Sequence, residues 1–116
     1  MAYDQELADR IRMLIRGDPA LVAALTEKKM FGGLAFLIGG HMALAASREG
    51  GILVRVDPDQ AGQLVRTTSA TVAVMGGREM TGWLRVGAAD VDADEGLVPW
   101  VERSTAYVRT LPAKQS

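Results

Sequence analysis

One uninterrupted apolar run constrains the fold of this chain more than any other feature. Residues 34–38, with the sequence LAFLI, stand between two glycine pairs at 32–33 and 39–40. A strand with one wet face alternates apolar and polar residues, because successive side chains point to opposite faces. Since the run has no polar member, a strand that contains it presents apolar side chains on both faces.

The elements around this run predict an α+β fold. Apolar residues recur at helical spacing over residues 4–16, where Asp4 and Gly17 are suited to cap the two ends. A short helical turn is predicted at 20–25, and Asp57 with Pro58 opens a second helix that continues to residue 65. Strands are predicted at residues 28–38, 42–47, 52–56, 71–75 and 82–86.

The last helix ends near Leu111, and two signals compete over where it begins. Asp92 and Glu95 have the spacing of a capping box, whereas Pro99 fits poorly inside a helix. We therefore predict a separate turn over 93–96 and a main helix that has Pro99 in its first turn. The predicted order is α-β-β-β-α-β-β-α in a single domain of residues 1–116, and the short connections indicate antiparallel strands.

Four segments of the chain resemble the TfoX N-terminal domain family: TEKKMFGGLAFLIGGHM (26–42), ILVRV (52–56), GREMTGWLRV (77–86) and WVERSTAYVRTLP (100–112). The resemblance implies a two-layer, secretion-chaperone-like fold in which helices cover one face of an antiparallel sheet of about five strands. The family takes its name from a bacterial regulator of competence for DNA uptake, which implies a regulatory role. It brings no catalytic residues, and Gly96 and Pro99 depart from its pattern.

The motifs that suggest small-ligand chemistry are incomplete. The segment GGLAFLIGG lacks the spacing of a phosphate-binding loop and precedes no helix. Asp90, Asp92 and Asp94 match the first half of an EF-hand loop, but Glu95 and Val101 occupy the positions that require Gly and Glu. We predict no catalytic, cofactor-binding or metal-binding residues.

Composition and simple sequence patterns limit the compartment in which we expect the protein and the classes of partner that it binds. Cys is absent, His41 is the single histidine and is interpreted as a solvated turn residue, and Trp83 and Trp100 are interpreted as core partners. The N-terminus has no signal-peptide pattern and no apolar run reaches the ~20 residues of a membrane span, so we expect a cytoplasmic protein without a membrane partner. A net charge of −1 gives no general attraction to nucleic acid, although Lys28, Lys29 and nearby arginines leave a local basic patch open.

A two-layer fold leaves one sheet face without helices, and the apolar run then exposes large side chains there. We expect another chain to cover that face, most simply a second copy in a homodimer. Alternatively, a bulge at Gly32 and Gly33 shifts the register and a loop covers the rest. The candidate interaction surface comprises Met30, Phe31, Phe36, Leu37, Arg55 and Arg85.

The leading hypothesis is a small non-enzymatic regulatory or protein-interaction module that needs no cofactor. The alternative is a small-ligand binder or enzyme that uses Arg55 and Arg85 on a shared sheet face, or a nucleic-acid binder that uses the basic patch.

Overall fold

A computed structural model describes residues 3–30 and 32–112. The helices in this part of the chain are α1 (Gln5–Arg16), α2 (Pro19–Ala24), α3 (Pro58–Thr67) and α4 (Asp94–Val108), with a 3₁₀ helix at Ala88–Val91. The strands are β1 (Leu25–Met30), β2 (Gly33–Ile38), β3 (His41–Ala46), β4 (Ile52–Arg55), β5 (Thr71–Met75) and β6 (Arg78–Val86). They form one antiparallel sheet in the order β1-β2-β3-β4-β6-β5, so the α+β prediction is confirmed.

The first helices begin and end at the predicted capping residues. The Asp4 carboxylate accepts a hydrogen bond from the Leu7 amide at 3.1 Å, and Gly17 caps the other end of α1. The Asp57 carboxylate accepts from the Asp59 amide at 2.9 Å at the start of α3. These bonds satisfy amides that have no partner within the helix, so local chemistry alone fixes both starts.

The apolar run is one arm of a hairpin, and the prediction of a single strand over 28–38 is wrong. β1 ends at Met30, which pairs with Gly33 at the start of β2. Gly32 lies between them with a φ of +78°, a conformation that glycine adopts without steric cost. A Cβ on Gly33 would collide with the Ala46 carbonyl, so this glycine also lets β3 approach. The sheet therefore has six strands instead of about five.

The helices pack on one face of the sheet and form the second layer. α4 lies against β3 and β4, α3 lies against β6 and β5, and α1 packs on α2 and α4. Leu34, Phe36 and Ile38 of β2 point into the core between the layers, where Phe36 is fully buried. The opposite face, which the helices do not cover, is called the open face below.

α4 is continuous, so the predicted separate turn over 93–96 is wrong. Those residues lie at the start of α4, and the isolated turn is the 3₁₀ helix that precedes it. Pro99 consequently lies in the second turn of α4 and not in the first. Because proline has no amide hydrogen, the carbonyl of Glu95 has no helical donor four residues ahead.

Close packing fixes the start of α4 in place of a capping side chain. The N-cap is Ala93 and no side chain hydrogen-bonds there, so Asp92 and Glu95 form no capping box. Gly96 packs so tightly on the 3₁₀ helix that a Cβ would collide with the Asp90 carbonyl. Glycine fits at this position because two backbone segments meet there.

An ion pair fastens α1 to the edge strand β1. Arg12 donates two hydrogen bonds of 2.6 Å, one to each carboxylate oxygen of Glu27, and a third of 2.6 Å to Asp9. The hydrogen bonds from Arg12 lower the pKa of Glu27 below its ordinary value, although partial burial acts in the opposite direction. Two-point geometry of this kind holds both partners in one orientation.

Replacing Gly96 with Ala tests the packing at the start of α4. We expect the free energy of unfolding to fall by about 1–3 kcal/mol, because the new methyl group has no space. The matched control is Gly62→Ala in α3, where a Cβ meets only the end of the Arg66 side chain at 3.6 Å. That variant should gain about 0.5–1 kcal/mol from helix propensity. Urea denaturation of both variants measures the two effects, and equal shifts would contradict the packing argument.

The Arg12–Glu27 pair should make the free energy of unfolding decrease at acidic pH. Since the pKa of Glu27 is lower in the folded protein, its contribution is complete above the ordinary value of 4.5 and is lost as the pH falls through the folded pKa. Because both side chains are about a quarter exposed, we expect the pair to contribute about 0.5–1 kcal/mol to the free energy of unfolding. Glu27→Gln should flatten the fall in unfolding free energy below pH 4.5, whereas Glu102→Gln, at an exposed position on α4, should retain the wild-type slope.

Candidate functional site

The open face is concave and holds a groove of about 530 Å³. Side chains from both edge strands line it: Met30 from β1, and Val74 and Met75 from β5. In a flat sheet, six strands at a spacing of about 4.8 Å would place these edges about 24 Å apart. The sheet is therefore curled, with the helices on its outer side and the groove inside the curl.

Irregular strand pairing accompanies this curl. The register between β2 and β3 shifts between Phe36 and Leu37, and the register between β5 and β6 shifts between Val72 and Val74. Gly82, in the middle of β6, has a φ of +85°. Extra residues on one strand of a pair bend it and increase its twist, so these positions curve the sheet around the groove.

A row of paired residues crosses the sheet and forms the floor of the groove. Ala35 pairs with Ala45, Ala45 with Leu53, and Leu53 with Arg85. Ala35 and Ala45 are only 1% and 9% exposed although no helix covers them. The concavity therefore buries these small side chains, and the alanines leave a trough in the middle of the face.

Methionines form much of the wall of the groove. Met30, Met42 and Met75 line it from three different strands. The thioether side chain is unbranched and flexible, and it adapts to partners of different shape. Val74 on the β5 rim is 53% exposed, which is unusual for a large aliphatic side chain. The groove is therefore an apolar surface that is adaptable and in contact with solvent.

The hairpin that connects β3 to β4, residues 47–51, supplies the polar end of the groove. Arg48 and Glu49 of this hairpin line the groove together with Arg85. The guanidinium of Arg85 lies 3.2 Å from the carboxylate of Glu49, and the two side chains are 36% and 70% exposed. The apolar trough thus ends in three charged side chains, two of which form an ion pair.

Three residues of the predicted interaction surface lie on the open face. Met30 and Arg85 line the groove. Leu37 is half-buried and pairs across the strands with Met42 of the groove wall. That a partner covers this face stays a prediction.

The other predicted surface residues lie elsewhere. Phe36 is fully buried beneath the helices and cannot contact a partner. Arg55 does not join Arg85 in one site: its guanidinium lies 5.3 Å from the centre of the Trp83 ring and 5.6 Å from that of Tyr107 on α4. Phe31 lies outside the described residues.

Sequence reasoning missed the floor of the groove and its polar end. The signal for the floor is the small residue at position 35 and again at position 45, because adjacent alanines on paired strands leave room above them. The pairing of Ala35 with Ala45 depends on the hairpin register, which the sequence did not provide. Glu49 carried no signal, since it lies in a turn whose direction is set by the fold.

Other interpretations of single residues change in the folded chain. His41 is the first residue of β3 instead of a solvated turn residue, and its Nε2 lies 2.6 Å from the Pro112 carbonyl oxygen. Trp100 is buried, as predicted, whereas Trp83 is half-buried beneath Arg55. Lys28 and Lys29 are exposed on β1, and three strands separate them from Arg85 on β6.

A second, separate groove of about 410 Å³ lies in the helical layer between α1, α2 and α4. Leu14, Leu21 and Val101 contribute apolar surface there, and Arg109 lies 3.7 Å from Asp18 at its margin. In the described ranges 3–30 and 32–112, no three His, Asp or Glu side chains are grouped to hold a metal ion. Within the same ranges, no helix has the length and apolar character needed to cross a membrane.

Comparison with protein families shows which family the chain belongs to. The family model for the TfoX N-terminal domain matches residues 19–107, which span the sheet, its groove and most of α4. The chain belongs to the TfoX N-terminal domain family. No curated protein and no solved structure matches it. In this TfoX N-terminal domain, the open face and its groove lie within the matched residues.

The two predicted arginines should respond differently to substitution. Arg55→Gln removes a cation from two aromatic rings, and we expect the free energy of unfolding to fall by about 1 kcal/mol. Arg85→Gln removes one partner of an exposed ion pair, and we expect a change below about 0.5 kcal/mol. Thermal unfolding of the two variants measures the difference. A larger loss for Arg85→Gln would assign Arg85 to the framework of the fold instead of the groove.

Proposed function

We propose that this TfoX N-terminal domain is a non-enzymatic regulatory module that binds a segment of a partner protein in the groove of its open face. The observation that carries the proposal is the groove itself, an apolar trough that reaches from one edge of the sheet to the other. Exposed apolar surface of this kind is typical of interaction sites. Family membership supports a regulatory role, of which competence for DNA uptake is the case that gave the family its name.

The curvature of the face determines the shape of partner that fits. Two copies of a concave surface cannot fill each other, so a face-to-face homodimer would leave a cavity over the alanine floor. A protruding segment, in contrast, can reach Ala35 and Ala45 between the methionine walls. The proposal therefore favours a narrow occupant over the expected second copy of this face.

The free edge of β5 favours a polypeptide as the occupant. β5 is the last strand of the sheet and also lines the groove. Residues 69–77 contain no charged side chain, whereas the opposite edge strand β1 has Glu27, Lys28 and Lys29. Charged side chains protect sheet edges from other strands, so β5 is the edge that can accept one. An extended segment paired with β5 would place alternate side chains near the groove.

A small-ligand binder is the second candidate. The groove volume of about 530 Å³ lies within the usual range for ligand sites, and Arg85 provides a polar anchor. A small molecule, however, would leave the backbone groups at the β5 edge without a partner. This difference allows the experiment below to separate the two candidates.

Selection from a random library of 12-residue peptides tests the proposed function. We expect the purified wild-type protein to enrich peptides with alternating apolar residues. Ala45→Gln, which places a long side chain over the floor of the groove, should weaken their binding at least tenfold. The matched control is Ala23→Gln at an exposed position on α2, which should bind like the wild type.

The comparison requires folded variants, so thermal unfolding is measured for each. If the Ala45 variant is unstable, Met42→Gln on the groove wall replaces it. Failure to enrich any peptide, or enriched peptides that bind both alanine variants equally, would overturn the proposal. A small apolar acid that binds the wild type and not the Ala45 variant, in the absence of peptide binding, would support the second candidate instead.

A further inference from the structure

The part of the chain that the structure describes contains two arginine–glutamate pairs of different construction. Arg12 holds Glu27 through two hydrogen bonds of 2.6 Å, and both side chains are about a quarter exposed. Arg85 meets Glu49 through a nitrogen–oxygen contact of 3.2 Å, and Glu49 is 70% exposed. The first pair connects two elements of the fold, whereas the second pair is loose and lies at the end of the groove.

Glu49 can leave Arg85 at little structural cost. It belongs to the hairpin 47–51 and lies mostly in solvent, so rotation of its side chain is enough to release Arg85. Arg85, in contrast, is fixed in β6 by its pairing with Leu53 and Thr71. If Glu49 moves away, the paired backbone of Arg85 keeps its guanidinium within reach of the groove, where a bound segment can supply a new anionic partner.

The charges along the groove favour an anionic partner as well. The charged side chains that line it are Arg48, Arg85 and Glu49, which leave one net positive charge although the whole chain has a net charge of −1. The floor row continues beyond Ala35 to Lys28 on β1 and beyond Arg85 to Thr71 on β5, and of these two cations only Arg85 lines the groove. Complementary charge at the end of an apolar trough selects partners and fixes their register.

We propose that the partner segment carries a carboxylate, from an Asp or Glu side chain next to apolar residues, and that this carboxylate binds Arg85 in place of Glu49. The inference rests on the proposed function, because it concerns the same groove. Glu49 acts as an internal competitor that keeps Arg85 neutralised while the groove is free. A segment without a carboxylate must either leave Glu49 in position or leave Arg85 unpaired, and both weaken its binding.

If Glu49 competes with the peptide for Arg85, substitutions of these two residues should change the affinity for the acidic peptide in opposite directions. The probes are the library peptides that bind wild-type protein most tightly, each compared with a version in which the acidic residue is replaced by its amide. We expect wild-type protein to bind the acidic peptide about tenfold more tightly than the amide. Arg85→Gln should abolish this preference, whereas Glu49→Gln should tighten binding of the acidic peptide several-fold. Isothermal titration calorimetry measures each dissociation constant.

Two control variants match these changes of charge. Lys28→Gln removes a cation from the exposed end of the same row, and Glu102→Gln removes an anion from the helical layer. Both should preserve the tenfold preference for the acidic peptide. A preference that Arg85→Gln leaves intact, or a Glu49→Gln variant that binds the acidic peptide more weakly, would overturn the inference.

The outcomes separate this inference from the proposed function. Peptides that lose affinity for Ala45→Gln but have no acidic residue would support groove binding and contradict the role of Arg85. Peptides that remain bound to Ala45→Gln would contradict the proposed function, whatever their charge. Enrichment of acidic residues on wild-type protein, absent from a parallel selection on Arg85→Gln, is the result expected if both are correct.

Discussion

The architecture depends on burying both faces of a strand when helices are available for only one. Leu34, Phe36 and Ile38 are buried by the helical layer in the ordinary way. The other face contains Ala35, which is just as thoroughly buried without a helix above it. Curling of the sheet accomplishes this, because a concave surface hides the small side chains at its bottom behind larger ones at its walls. The groove is thus the consequence of how the open face protects itself from water.

The same constraint connects the fold to recognition. Alanines on neighbouring strands bring the floor close to the backbone, and flexible methionines above it keep the walls adaptable. Glycine with positive φ and shifted register bend the strands that carry them. An uncharged edge strand and a loosely paired arginine complete a surface with apolar, backbone and ionic components. Each component is modest in energy, and the proposed binding of an extended polypeptide rests on their arrangement in one trough.

The sequence predicted the features that depend on neighbours in the chain. Asp4, Gly17 and Asp57 cap helices because they stand next to the groups that need a partner. It failed where one element packs closely on another: Gly96 permits the start of α4 against Asp90 of the 3₁₀ helix, and Gly33 permits the approach of β3. The single strand predicted over 28–38 failed because MFGG was interpreted as a bend within a strand, whereas Gly32 turns the chain completely.

The candidate site was predictable only in part for the same reason. The two-sided apolar run predicted that the face without helices is not simply wet, and of the predicted surface residues Met30, Leu37 and Arg85 lie on that face. Arg55 follows the same alternation as Arg85, yet it stacks on Trp83 and Tyr107. Alternation assigns a residue to a face of a regular strand, and it cannot predict which rings lie within reach once the sheet curls.

The most direct test of the account is to locate the binding surface by nuclear magnetic resonance. Amide shifts of ¹⁵N-labelled protein are followed as a selected peptide is added. If the groove binds the peptide, the largest changes fall on the floor row from Ala35 to Arg85 and on the edge strand β5. Changes centred on Leu14, Leu21 and Val101 in the helical groove, with the open face unaffected, would contradict it.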